Sequence, residues 1–120
     1  MATQSNQPLQ DGYQLQNYTI EKMLSSGGFS IVYLARDENG TPVAIKEYLP
    51  SALVVRSDGA EVQINSDENL AVFRHGLKCF FEEGRSLAQI SHPSVVSVLN
   101  FFRENETVYM VMNYLQGDTL

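Results

Sequence analysis

MLSSGGFSIVYLARDENGTPVAIKEY, residues 23–48, decides the fold. Two β-rich runs, Ile31-Val32-Tyr33-Leu34-Ala35 and Val43-Ala44-Ile45-Lys46-Glu47-Tyr48, flank Asp37-Glu38-Asn39-Gly40. β-Branched and aromatic residues suit a pleated, half-buried surface. Asn-Gly between such runs is a strong hairpin signal, because both residues tolerate positive φ. Upstream, Tyr18 to Leu24 alternates as a strand should, and Ser25 to Gly28 reads as a turn. The stretch therefore predicts three antiparallel strands in a meander.

Working outward, residues 1 to about 12 are polar and carry Pro8 and Gly12, so a flexible tail is expected up to residue 17. Beyond Pro50 the pattern is less regular. Ser51 to Val55 suggests a helical turn, and Glu61-Val62-Gln63-Ile64 a short strand. Ser66 has the chemistry of an N-cap, with Asp67 and Glu68 in the first turn. From there Leu70, Phe73, Leu77, Phe80, Leu87 and Ile90 fall on one helical face. The helix should end near Ser91, ahead of Pro93, and Gly76 and Gly84 suggest a break within it. Val95 to Phe102 and Thr107 to Asn113 read as two more strands about a turn at Glu104-Asn105-Glu106. The expected fold is α+β: a five-stranded antiparallel sheet with one long helix between the third and fourth strands.

The 120 residues suit one domain or one lobe of a larger one. Apolar residues are 43% and charged residues 18%, an ordinary globular composition. The net charge is −6 and the eight Lys and Arg are scattered singly, which argues against nucleic acid or an anionic membrane as partner. Cys79 is the only cysteine, so no intramolecular disulfide forms and a reducing compartment is favoured. The opening MATQSNQPLQDG has no apolar signal core, and no apolar run nears the ~20 residues that span a bilayer. The expectation is a soluble, cytoplasmic chain without a membrane segment.

Gly27 and Gly28 raise the question of a phosphate loop. A P-loop needs Gly-Lys-Ser/Thr entering a helix, and a dinucleotide fingerprint also opens into a helix. Here the glycines open into strand-forming Ile31-Val32-Tyr33. Two readings remain: a plain hairpin, or a turn whose amides approach a phosphate because glycine lets the backbone come close. Lys46 bears on the choice. A charge within an apolar strand points to solvent or needs a partner. Glu83 shares a helical face with Phe80 and Leu87, whereas Glu82, four after Lys78 and three before Arg85, falls on the solvated side. An inward Lys46–Glu83 pair would be costly to break, by about 3–5 kcal/mol. His75 and His92 lack neighbours of metal-site type, no metal site is expected, and Cys79 reads as a packed core thiol.

Taken together, these residues resemble the eukaryotic-like bacterial Ser/Thr protein kinases, in their N-terminal lobe only. The family's glycine loop, G-x-G-x-x-G-x-V, aligns with Ser25, Gly27, Ser30 and Val32, with Gly28 beside the middle glycine and Phe29 at the tip. Val43-Ala44-Ile45-Lys46 is the family's lysine strand. The resemblance implies that Lys46 grips the α and β phosphates of ATP and that Glu83, on the helix called αC in the family, pairs with it. The spacing from Glu83 to His92-Pro93 and Val95-Val96 is similar too. Val108 to Leu115 resembles the fifth strand and hinge, with Met112 as gatekeeper and the backbone of Asn113 and Leu115 facing adenine. Leu24, Val32, Ala44 and Leu115 are implied to sandwich the base, and Leu87 and Val98 to link the lobes.

The similarity runs over residues 18–120, with two departures. Ser25 and Ser30 put Cβ atoms where the family keeps glycine, and the segment from Lys46 to Glu83 is long. No His-Arg-Asp, Asp-Phe-Gly or Ala-Pro-Glu motif occurs. Phosphoryl transfer is mostly positioning plus metal electrostatics. The chain alone is therefore expected to be inactive, with Mg²⁺ held by residues beyond it, in a parent that phosphorylates protein Ser/Thr. The alternative is a pseudokinase or free-standing lobe that binds nucleotide or protein as a regulatory module. The implied partners are ATP, a protein substrate, and either the missing C-lobe or a second copy. The C-lobe or copy would cover the apolar face around Leu87, Val98, Met112 and Leu115.

Overall fold

A computed structural model describes residues 6, 8–51, 53–56, 62–64, 67–88 and 98–114, with the backbone alone at 55, 67 and 83–88. The strands are β1 (Gln14–Leu15), β2 (Tyr18–Ser26), β3 (Ser30–Arg36), β4 (Pro42–Tyr48), β5 (Val54–Val55), β6 (Gln63–Ile64), β7 (Val98–Glu104) and β8 (Thr107–Asn113). A 3₁₀ turn, Asp67–Asn69, leads into α1 (Leu70–Ala88), the one α-helix among the described residues. The main sheet has the order β1-β2-β3-β4-β8-β7, every neighbouring pair being antiparallel. A separate ribbon pairs β5 with β6.

The sheet has six strands where the sequence predicts five. The additional strand is β1, within the segment expected as a tail. At two residues it is too short to show a period-2 pattern. It forms because Gly12, at φ 88°, turns the chain back: Gly12 N donates to Ile20 O and Ile20 N donates to Tyr13 O. Leu9 and Leu15 are then buried in the core. Residues 8–17 thus pack against the sheet rather than trail from it.

Asp37 shapes the β3–β4 hairpin. Its Oδ1 accepts from the amides of Asn39 and Thr41, both at 2.9 Å, and Gly40 supplies the left-handed φ of 81°. The β3–β4 register is regular from Ser30↔Tyr48 to Arg36↔Pro42. At the β7–β8 turn, Asn105 and Glu106 both take positive φ. The expected helical turn after Pro50 is one turn closed on the Pro50 carbonyl by Leu53 N and Val54 N, after which the chain enters β5.

Helix α1 runs unbroken across both Gly76 and Gly84, contrary to the expected break. Glycine within a helix costs about 1 kcal/mol relative to alanine, so its presence at 76 needs a packing reason. That reason is Tyr48, whose ring and hydroxyl lie against the helix at Gly76. The helix lies mainly on β7 and β8, with Phe73 and Phe80 in the core and Leu77 packed beside them. Its expected start at Ser66 and end near Ser91, and the Val95-Val96-Ser97 start of the fourth strand, lie outside the described residues.

Candidate functional site

β4 has two unlike faces. Val43, Ile45 and Glu47 are buried, while Ala44 and Lys46 on the other face are half-buried. Directly opposed residues in an antiparallel sheet share a face. The register joins Val32, Lys46 and Met110 in one row, and Leu34, Ala44 and Met112 in the next. Of the residues expected to contact nucleotide, Val32, Ala44, Lys46 and Met112 therefore line one face of the sheet.

The glycine loop, residues 27–29, joins β2 to β3 and leads onto this face. Gly27 N donates to Ser30 O at 2.9 Å, closing the turn. The loop is fastened through its carbonyls: Phe29 O accepts from Leu49 N at 2.8 Å, and Gly28 O from Ser51 N at 2.9 Å. Phe29 at the tip is 71% exposed. Ser25 lies within β2 and pairs with Val32, and Ser30 starts β3 opposite Tyr48. Leu24 falls at the register shift between Met23 and Ser25 and is exposed. Asn113 ends β8 opposite Val43. Leu115 lies outside the described residues.

Lys46 reaches toward α1. Its Nζ stands 5.8 Å from the centroid of the Phe80 ring, a cation–π approach. A cavity of about 520 Å³ opens between the loop tip, Lys46 and the helix, with Phe29, Ser30, Tyr48, Cys79 and Phe80 among its walls. Cys79 is exposed rather than a core thiol, and its Sγ is 3.7 Å from His75 Nε2 one turn earlier on α1. Glu82 is exposed, as expected. Glu83 belongs to α1, but its side chain is outside the description, so the pairing with Lys46 stays an expectation.

Among the described residues, Glu47 and Arg56 carry their charges inside the core. The Glu47 carboxylate accepts from Tyr33 OH at 2.7 Å, from Tyr109 OH at 2.5 Å, and from both terminal nitrogens of Arg56. Glu47 and Arg56 are almost wholly removed from solvent. Burial and the neighbouring Glu47 charge push the hydroxyls of Tyr33 and Tyr109 well above the usual tyrosine range. Burial opposes the charge on Arg56, but the hydrogen bonds and charge of Glu47 prevail and hold it protonated. The Tyr33 hydroxyl also accepts from Leu9 N at 2.9 Å. No motif in the sequence marks this cluster. Parity was the available signal, since Glu47 shares Val43 and Ile45's side of the strand and Lys46 does not. Arg56 lies in the extra length between Lys46 and Glu83.

The chain matches no protein-family model. It is 33% identical over 104 residues to the serine/threonine-protein kinase PrkC of Bacillus subtilis, spanning 86% of this chain and 13% of PrkC. It is also 33% identical over 107 residues to the serine/threonine-protein kinase PknD of Chlamydia pneumoniae, spanning 88% of this chain and 10% of PknD. The solved structure of PpkA-294 in its apo form is similar at a TM-score of 0.88 and 38% identity, over 94% of this chain and 41% of that one. The chain matches the N-terminal lobe of a bacterial serine/threonine protein kinase. This N-lobe spans only a small part of the length of either kinase. Its sheet and helix follow the expected order, with one strand more than expected. Among its described residues no helix is long and apolar enough to cross a membrane.

Proposed function

We propose that this N-lobe binds ATP on the face carrying Val32, Ala44, Lys46 and Met112. The observation that carries the reading is the position of Lys46, on that face, near the glycine loop and against α1. The residues fit such a ligand. Val32 and Ala44 offer a low apolar surface for a flat base. An ammonium is a compact point charge suited to phosphate oxygens. No atom lies within 4 Å of where a Cβ would stand on Gly27, so the loop leaves room there. When bound, ATP supplies the phosphoryl group. On this reading Lys46 would hold its α and β phosphates, Glu83 would orient Lys46, the loop amides would cover the phosphates, and the backbone of Asn113 and Leu115 would read adenine.

The parent protein then transfers the γ-phosphate to Ser or Thr of a protein substrate in the cytoplasm, through a base and Mg²⁺-binding residues outside this chain. Among the described residues no three His, Cys, Asp or Glu are grouped to hold a metal. Ser25 and Ser30 in the loop support a second reading, a pseudokinase or regulatory binding module. One pair of measurements separates them: ATP affinity of the chain, and phosphotransfer by the longest natural form, each with and without Lys46→Ala. The kinase reading expects binding and transfer, both lost with Lys46→Ala. Unchanged turnover in Lys46→Ala overturns the role of Lys46, and absence of transfer from the longest form favours the binding module.

A further inference from the structure

Gly76 occupies the middle of α1, where the helix itself would favour alanine. A Cβ does not fit. Built on Gly76, it would stand 2.9 Å from Tyr48 Cζ and 3.3 Å from Cε1, with the hydroxyl oxygen nearer still. Tyr48 has little freedom to withdraw. Its ring packs against Phe73 and Phe80 at centroid separations of 5.3 and 5.5 Å, and it is 5% exposed. Its hydroxyl donates to Phe73 O at 3.2 Å, and its own carbonyl accepts from the buried Thr107 Oγ1 at 2.5 Å. The hydroxyl thus rests on the helix backbone, in the gap that any side chain at 76 would close.

The contact sits between the two elements that frame the site. Tyr48 follows Lys46 by two residues and so shares its face of β4. Gly76 precedes Glu83 by seven residues on α1, about two turns. Phe80 lies between them, touching the Tyr48 ring and standing beneath Lys46 Nζ. How closely α1 rides over this part of β4 is therefore set where Tyr48 meets Gly76.

We infer that the Tyr48–Gly76 contact is a spacer fixing the separation of α1 from β4, and that these two are positioning residues for Lys46. The spacer claim stands on packing alone, and its consequence for nucleotide rests on the ATP-binding reading above. A methyl at 76 drives the helix away from the strand, and Lys46 loses its fixed place beside Phe80.

The full chain carries its own probes. Its lysines are Lys22, Lys46 and Lys78, and its single cysteine, Cys79, is exposed on α1. With the lysines ¹³C-methylated, a spin label on Cys79 broadens the Lys46 signal according to its distance from the helix, and Lys22 on β2 serves as control. Gly76→Ala is expected to weaken that broadening and shift the Lys46 signal. It should also weaken ATP binding about tenfold, the loss of one hydrogen bond to a charged group. Adding Tyr48→Leu, which removes the atoms in the way, is expected to restore all three. A folded Gly76→Ala chain with an unchanged Lys46 signal overturns the inference. Should Gly76→Ala fail to fold, Gly76→Ala/Tyr48→Leu must regain cooperative unfolding, and failure to do so also overturns it. If the unaltered chain binds no ATP, the ATP-binding reading of this chain fails, and the spacer is judged on the Lys46 signal alone.

Discussion

Glu47 and Arg56 form an ion pair inside the core, one residue along the strand from Lys46 but on the opposite face. The carboxylate is further held by Tyr33 and Tyr109. Desolvating two charges is expensive, and their attraction offsets it only when the remaining hydrogen-bond capacity is met. Removing one partner strands the other. Arg56→Met is therefore expected to destabilise the chain by about 3–5 kcal/mol. Glu47→Leu/Arg56→Met should cost clearly less than the sum of the single changes. Urea unfolding of the four proteins checks this, and additive losses would show that the pair does not act as a unit.

The same cluster sets an alkaline limit. Tyr33 and Tyr109 have hydroxyls raised above the ordinary value of 10.0, first by burial and then by the Glu47 charge. As pH climbs through 10 the unfolded chain loses these protons while the folded chain keeps them. The unfolded state then binds fewer protons, so stability falls with rising pH and is unaffected by these groups below 10. Each tyrosine contributes a slope of about 1.4 kcal/mol per pH unit. Urea midpoints between pH 8 and 11.5 should be flat and then drop steeply above 10. Absorbance should show Tyr33 and Tyr109 ionising only on unfolding. A flat stability profile to pH 11.5 would contradict the burial of these hydroxyls.

The meander was legible from Tyr18 onward because each strand is long enough to display alternation and the turn at Asp37 to Gly40 has distinctive chemistry. Thr107 to Asn113 matches β8 end to end for the same reason. β1 was not legible, since two residues carry no period and its pairing with the start of β2 depends on the turn at Gly12. The unbroken helix at Gly76 was hidden because helix propensity reads one strand of the chain at a time, and the reason for that glycine is a tyrosine 28 residues earlier. The face that carries Lys46 was legible from the alternation of β3, β4 and β8, which places Val32, Ala44, Lys46 and Met112 on one side. The long segment after Lys46 read as irregular because its anchor, Arg56, is a buried cation whose partner is on β4.

Thr107 shows how β8 and β4 are tied where the spacer begins. Its side chain is fully buried and Oγ1 donates to the Tyr48 carbonyl at 2.5 Å. Valine has nearly the same shape but no donor, so Thr107→Val opens no cavity and leaves that carbonyl unsatisfied. The expected loss is about 1–3 kcal/mol. Thr107→Ser, which keeps the hydroxyl, should fall by less. Thermal unfolding of the two variants separates hydrogen bonding from packing, and a Thr107→Val chain as stable as the parent would show that the hydrogen bond to the Tyr48 carbonyl contributes nothing net.

Gly40 and Gly27 contrast a glycine that its backbone conformation requires with one that has open space where a Cβ would stand. Gly40 has φ 81° in the β3–β4 turn, a conformation that L side chains rarely adopt. Gly40→Ala is expected to destabilise by about 1 kcal/mol without touching the face that carries Lys46. Gly27 lies outside the left-handed region and has open space where a Cβ would stand. Gly27→Ala should leave stability within about 0.5 kcal/mol of the parent chain. Nucleotide, if it lies beneath the loop, would meet that new methyl, so ATP binding should weaken in Gly27→Ala and persist in Gly40→Ala. Unfolding curves and ATP titrations of the two variants test both halves. ATP binding that survives Gly27→Ala intact would mean that the loop does not close over the phosphates.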